Sequence, residues 1–267
     1  MGGRGEKLLF AHANGYPPES YRQLFDNLAG QFAINAIEHR PLWGGRVPPK
    51  NLRWQLFVDD LLAAMRGLGS QAVWVMGHSM GATIATFAAA RHPEMFKGLI
   101  LMDPVFLPGR FIWSTRLIPK RHLNKLPMVR KALNRPEYFA SLDDAFAFYR
   151  PKTAFRDLSD AALRDYVAAS KSPVDDKGVR LRYSGDWEAA VYRTVPHVKA
   201  AIRRLEVNTL GLRGSASDTL NLQMWQRWQR WQPKARLLEV PGGHLFPLEY
   251  PREAAESVLD HVFPQLY

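Results

Sequence analysis

The chain has no cysteine. Disulfides, thiolate metal ligands and a thiol nucleophile are therefore excluded, and any covalent chemistry must use another side chain. Long hydrophobic runs are also missing: the longest apolar stretches reach about half of the roughly 20 residues a spanning helix needs. The N-terminus, Met1-Gly2-Gly3-Arg4-Gly5-Glu6-Lys7, leads into too few apolar residues for a signal-peptide core. A soluble, cytoplasmic protein is the expectation. No cluster of His, Asp and Glu falls at ligand spacing, so neither a metal nor another cofactor is expected. Acidic residues are scarce, with 25 Asp and Glu against 36 Lys and Arg and a formal net charge of +11. No repeat or recognition motif accompanies that charge, so no nucleic-acid partner is expected.

The excess charge is unevenly placed. Arg110, Arg116, Lys120, Arg121, Lys125, Arg130, Lys131 and Arg135 form a stretch without a single Asp or Glu. It has two readings: a contact surface for an anionic lipid, an acyl carrier or a nucleotide-bearing thioester, or a solvated face that aids solubility. What the chain does contain is ordinary globular material. At 267 residues, 46% hydrophobic and 23% charged, it can bury a sizeable core, as one domain with an insertion.

Short apolar runs alternate with helical patterns. Strands are expected at residues 7–11, 32–37, 72–76, 97–104, 207–212 and 235–240. Between them Tyr21, Leu24, Phe25 and Leu28 mark one core-facing helix, and Trp54, Phe57, Val58, Leu61, Leu62 and Met65 mark another. This rhythm predicts an α/β fold with a parallel sheet covered by helices on both faces. It stops at residues 105–206, which read as helices over 142–149, 159–169 and 187–204, the last interrupted by Pro196. The expected organisation is a core of residues 1–104 and 207–267, with residues 105–206 inserted as a helical cap over the C-terminal edge of the sheet. Trp225, Trp228 and Trp231, at three-residue spacing, read as a packed helix face.

The densest chemical signal is Gly77-His78-Ser79-Met80-Gly81. An apolar strand runs into it and a small-residue helix leaves it, the context in which G-x-S-x-G forms a nucleophile elbow. Two further polar residues follow strand ends: Asp218 after residues 207–212 and His244 after 235–240. Ser79 supplies a nucleophile, His244 a proton acceptor, and a carboxylate the group that orients the imidazole. Two carboxylates compete for that last role, because Asp103 also ends a strand. Asp218 is preferred: Asp103 precedes Pro104 and reads as the root of the insertion. Asp218 has a second reading as the cap of the helix beginning near Thr219.

The segments His12-Ala13-Asn14-Gly15, the elbow at Ser79, Met102-Asp103-Pro104-Val105, residues 213–218 and Gly242-Gly243-His244 resemble the bacterial α/β-hydrolase superfamily over essentially the whole chain. Asp186-Trp187-Glu188-Ala189 and Tyr192-Arg193 are similar to a subgroup known only as hydrolases. The resemblance implies an α/β-hydrolase fold with a helical cap, and the order Ser, Asp, His agrees with it. Against the family pattern the usual leading hairpin is expected to be missing or replaced, so a six-stranded, essentially all-parallel sheet is expected. The resemblance also implies that the backbone N–H groups of Asn14 and Met80 form an oxyanion hole. Pocket candidates are His12, Phe106 and Trp43, the last with the alternative of anchoring its own loop. Related dehalogenases and epoxide hydrolases carry Asp at the elbow, whereas Ser79 supports acyl transfer. The leading expectation is a carboxylesterase acting on a small-molecule ester. Thioesterase, lactonase and carbon–carbon bond hydrolase are the alternatives on the same residues, followed by a lipid-surface lipase or a non-catalytic receptor.

Overall fold

The computed structural model describes residues 1–174 and 178–266. Its elements run in chain order β1 (Glu6–Ala11), α1 (Arg22–Leu28), β2 (Phe32–Ile37), α2 (Gln55–Gly67), β3 (Val73–His78), α3 (Met80–Arg91) and β4 (Phe96–Met102). Then come α4 (Gly109–Leu117), α5 (Lys120–Leu123), α6 (Pro127–Leu133), β5 (Tyr138–Phe139), α7 (Leu142–Tyr149), α8 (Asp160–Ala169), β6 (Lys171–Pro173) and β7 (Val179–Leu181). Next are α9 (Gly185–Arg193), α10 (Lys199–Arg203), β8 (Thr209–Gly214), α11 (Leu222–Trp231), β9 (Arg236–Val240), α12 (Phe246–Glu249) and α13 (Pro251–Val262).

The main sheet has six strands in the order β2-β1-β3-β4-β8-β9, and every pairing is parallel. Parallel strands need cover on both faces, and the side-chain alternation supplies it. Leu8, Phe10, Trp74, Met76, Ile100 and Met102 pack with α1 and α13, while Leu9, Ala11, Val73, Val75, Leu99 and Leu101 pack with α2 and α3. The chain leaves β1 outward to β2 and then crosses back to β3. The carboxyl ends of β1 and β3 are therefore where strand order reverses, the place at which open α/β sheets form ligand crevices.

Residues 105–206, expected as a helical cap, hold helices α4–α10 and in addition a small antiparallel sheet in the order β5-β7-β6. Strands of two or three residues, one ending in Pro173, are too short to display a period. The segment also joins both apolar clusters: Phe106, Trp187 and Ile202 on the α2/α3 side, Leu163 and Tyr166 on the α1/α13 side. In the basic stretch, Arg135 is not a surface charge, since its Nη2 donates to Glu188 Oε1 at 2.7 Å between α6 and α9. The side chains of Arg116, Lys120 and Arg121 lie outside the described residues.

The tryptophan spacing at residues 225–231 corresponds to α11, with Trp225 and Trp228 buried. Trp228 Nε1 donates to Gln232 Oε1 at 2.9 Å, and Gln232 Nε2 donates to Thr209 Oγ1 at 2.9 Å, so the indole is both packed and satisfied. Trp228→Ala is expected to lower the unfolding free energy by about 3–5 kcal/mol, read by chemical denaturation, because it removes a filled volume and orphans Gln232. No helix among the described residues is long and apolar enough to cross a membrane.

Candidate active site

β3 ends at His78 and α3 begins at Met80, so Ser79 alone makes the turn. Its φ of 55° and ψ of −113° are strained for a side-chain-bearing residue. The strain is held from both sides: Ser79 N–H donates to the Met102 carbonyl at 2.9 Å, extending the β3–β4 pairing, and Thr83 N–H donates to the Ser79 carbonyl at 3.1 Å. Such a sharp turn leaves no room beside it. A Cβ on Gly77 would lie 2.5 Å from Ala82 N, and one on Gly81 would lie 2.0 Å from the Ala11 carbonyl oxygen.

Ser79 Oγ lies 2.9 Å from His244 Nε2, and His244 Nδ1 lies 2.6 Å from Asp103 Oδ2. The carboxylate against His244 is therefore Asp103, not Asp218. Loop position accounts for the difference. β4, the neighbour of β3, ends at Met102, so Asp103 stands at once beside the Ser79 elbow, whereas β8 ends at Gly214 and Asp218 lies further along an exposed loop. Asp103 is fully buried at φ 42°, a left-handed conformation that Asp tolerates better than most residues. Asp218 is exposed, with Thr219 Oγ1 3.4 Å from its Oδ1. Nor does Asp218 cap α11, because Asn221 Oδ1 accepts the Met224 N–H at 3.0 Å.

The 213–218 loop supports the carboxylate instead. Gly214 N–H donates to Asp103 Oδ1 at 3.2 Å, and the Ser217 hydroxyl donates to Oδ2 at 2.5 Å. Arg213 holds this loop, with Nε donating to the Leu220 carbonyl at 2.7 Å, Nη2 to the Ser217 carbonyl at 3.1 Å, and an ion pair to Glu239. On the other side, Glu249 Oε2 accepts the Gly243 N–H at 2.7 Å and secures the loop that carries His244.

Sequence reasoning missed a second histidine. Tyr21 OH accepts the Ala13 N–H at 3.3 Å and donates to His78 Nδ1 at 2.7 Å, and His78 Nε2–H donates to the His244 carbonyl at 2.8 Å. One continuous chain thus ties the β1 loop, the elbow and the His244 backbone together. Burial, and then the proximity of His244, hold the His78 pKa well below the ordinary value. The available signal was an imidazole inside the G-x-S-x-G segment at the end of a buried strand.

The side chains of the three pocket candidates are engaged in other contacts. His12 is fully buried, its Nδ1–H donating to the Ala13 carbonyl at 2.8 Å and its Nε2 accepting the His39 N–H at 3.1 Å, so neither nitrogen is free for a ligand. Phe106 is a core residue packed edge-on against Trp228 at 5.0 Å. Trp43 is 55% exposed, with Nε1 donating to the Glu38 carbonyl at 2.8 Å, and serves its own loop. All three carry the residue types of a pocket, but packing rather than type decides access.

Asn14 and Met80 occupy the two loops expected to supply backbone donors. Met80 opens α3, so its N–H has no intrahelical acceptor. The Asn14 side chain is fully used, with Nδ2 donating to the Glu188 carbonyl at 3.2 Å and Oδ1 accepting from Tyr183 OH at 2.7 Å. These contacts fix the loop against α9. Among the described residues no group of three or more His, Asp or Glu is arranged to hold a metal ion.

His12, His39 and His78 give the fold a pH dependence. Burial lowers the His12 pKa to about 4 and pushes His39 and His78 well below the ordinary value. Their unfolded forms titrate near 6.5, so below that pH the unfolded chain binds protons that the native chain refuses. The stability they contribute is present above pH 6.5 and is lost as the pH falls toward the folded pKa values. The expected loss approaches about 1.4 kcal/mol per pH unit for each buried imidazole, read as denaturation midpoints between pH 7.5 and 5.

A serine at a strand-to-helix elbow, in contact with a buried carboxylate through an imidazole on an all-parallel sheet, defines a hydrolase of the α/β class. The chain matches the alpha/beta hydrolase family over residues 8–257 and belongs to it. It is 35% identical over 247 residues to a monoglyceride lipase of Rattus norvegicus, covering 86% of this chain and 71% of that one. It is 28% identical over 163 residues to epoxide hydrolase 3 of Xenopus tropicalis, covering 56% of this chain and only 41% of that protein. Among solved structures, E-2-(acetamidomethylene)succinate hydrolase superposes with a TM-score of 0.79 at 20% identity, over 98% of this chain and 92% of that one, a likeness of fold.

Proposed function

We propose that this hydrolase cleaves carboxylic esters through an acyl-enzyme on Ser79. The observation that carries the reading is the hydrogen-bonded series Ser79, His244, Asp103 at 2.9 and 2.6 Å. His244 Nε2 takes the Ser79 proton as Oγ attacks the carbonyl carbon, and the oxyanion forms against the N–H groups of Asn14 and Met80. Collapse of this intermediate expels the alcohol, which receives the proton from His244. Water, deprotonated by the same nitrogen, then attacks the acyl-enzyme and releases the acid. Asp103 keeps Nδ1 protonated and stabilises the imidazolium. Residues 105–206 are read as the cap that selects the acyl group. An ester is preferred over an epoxide because the elbow residue is Ser, whereas an alkyl-enzyme ester needs a carboxylate. The reading is tested with a fluorophosphonate probe and a panel of p-nitrophenyl esters of increasing acyl length beside acyl-CoA and lactone substrates. Stoichiometric labelling with ester turnover supports it, and turnover of lactones or thioesters alone replaces it.

His78 enters as a positioning residue. His78→Ala removes the contact between the elbow and the His244 backbone, and is expected to lower kcat about 10- to 100-fold with little change in KM. A larger effect on KM than on kcat would place His78 in binding instead.

A second reading, a cytoplasmic enzyme that works at a lipid surface, is favoured by one observation. Phe111, Trp113 and Leu117 of α4 are 45%, 63% and 85% exposed, and Arg110, Lys125, Arg130 and Lys131 of the same stretch of chain are exposed as well. Apolar side chains flanked by cations suit an anionic interface. Co-sedimentation with anionic but not zwitterionic liposomes would support it.

A further inference from the structure

A cavity of about 500 Å³ opens between the start of α4, α10 and α11, lined by Gly109, His197, Lys199, Arg203, Arg227, Arg230 and Trp231. It contains four permanent cations and no acidic residue. Many arginines elsewhere on the surface are matched, as in Arg22 with Asp165, Arg150 with Asp160 and Arg252 with Glu256. Here no carboxylate among the described residues pairs with any of the four. Arg227 reaches only Met224 Sδ, at 3.7 Å, and Arg230 Nε donates to the Gln226 carbonyl of its own helix at 3.3 Å. Lys199 Nζ lies over the Trp231 ring, 5.8 Å from its centroid. Like charges gathered around one concavity repel one another, and the arrangement becomes favourable once an anion fills it.

Two features narrow the anion. Gly109 opens α4, and a Cβ there would lie 2.7 Å from His197 Nε2, so the imidazole packs directly against the first turn of a helix whose dipole adds positive potential at this end. Three guanidinium groups offer the fork geometry that matches phosphate oxygens. Trp231 is half-buried and adds an aromatic surface, and the volume lies within the range of small-molecule sites. We propose that this cavity binds a phosphate-bearing organic anion with the chemistry of a nucleoside diphosphate, its phosphates among Arg203, Arg227 and Arg230 and its base against Trp231. The site is distinct from the Ser79 centre and does not depend on the ester reading.

Calorimetric titration of the full chain with ADP, pyrophosphate and adenosine tests it. The expected result is one ADP per chain, weaker pyrophosphate, no adenosine, and affinity that falls as salt rises. Arg203→Ser/Arg227→Ser should weaken ADP by at least about tenfold, the loss of charge-assisted contacts, with thermal midpoint and ester turnover unchanged. Arg230→Ser, on the exposed side of α11, is the second variant should the double substitution fail to fold. ADP binding that ignores these substitutions overturns the site. So does the absence of saturable ADP and pyrophosphate binding up to about 1 mM. ADP no tighter than pyrophosphate, or adenosine as tight as ADP, overturns the assignment of the ligand class.

Discussion

Asp103→Asn is expected to lower kcat/KM for an activated ester by about 10⁴-fold, while Asp218→Asn leaves it within about twofold of wild type. The asymmetry follows from position. Asp103 Oδ2 receives the proton-bearing Nδ1 of His244 at 2.6 Å, inside a site that admits no solvent to its carboxylate. An amide nitrogen in its place presents a donor to Nδ1 and selects the tautomer whose Nε2 already carries a proton, so the imidazole can no longer accept one from Ser79. Asn also tolerates a positive φ, and its oxygen can still meet the Gly214 N–H, so near-UV circular dichroism should be unchanged. Asp218, exposed one strand further out, loses only its charge. Steady-state kinetics of the two purified variants decides the matter, and the reverse pattern would return the carboxylate role to the 213–218 loop.

Ser79→Ala is expected to lower kcat by about 10⁶-fold and to abolish fluorophosphonate labelling, since among the described residues no other hydroxyl is hydrogen-bonded to His244 Nε2. The fold should survive. One oxygen is removed, the backbone hydrogen bonds of Ser79 to Met102 and Thr83 remain, and alanine meets the same left-handed strain that serine already bears. Intact thermal unfolding together with lost labelling separates chemistry from stability. Retained ester turnover in this variant would end the acyl-enzyme reading.

Much of this molecule was legible in its linear order. Six apolar runs separated by amphipathic stretches are a local property, so the strands, a parallel sheet and the helix beneath Trp225 and Trp228 could be read directly from spacing, while the all-parallel arrangement of six strands was what the family resemblance implied. The elbow was equally local, because a strand, a small-residue helix and two glycines that cannot carry a Cβ are all contiguous with Ser79. The small sheet within residues 105–206 was not legible, since β5, β6 and β7 are too short for periodicity to show.

What the chain by itself determined was which residue types stand at which strand ends: Ser79 after β3, Asp103 after β4, and Asp218 and His244 beyond β8 and β9. Tertiary structure alone decided which of them meet. Both aspartates follow strand ends, and along the sequence Asp218 was the preferred one; only the fold put Asp103, directly after β4, against the imidazole and left Asp218, further along the loop after β8, in solvent. The same holds for His12 and Phe106, whose side chains suited a pocket until packing enclosed them, and for His78, whose partners Tyr21 and His244 lie 57 and 166 residues away. Periodicity reports the direction of a side chain relative to its own element. Contact between elements depends on how the sheet is ordered and covered, and that is a property of the assembled fold.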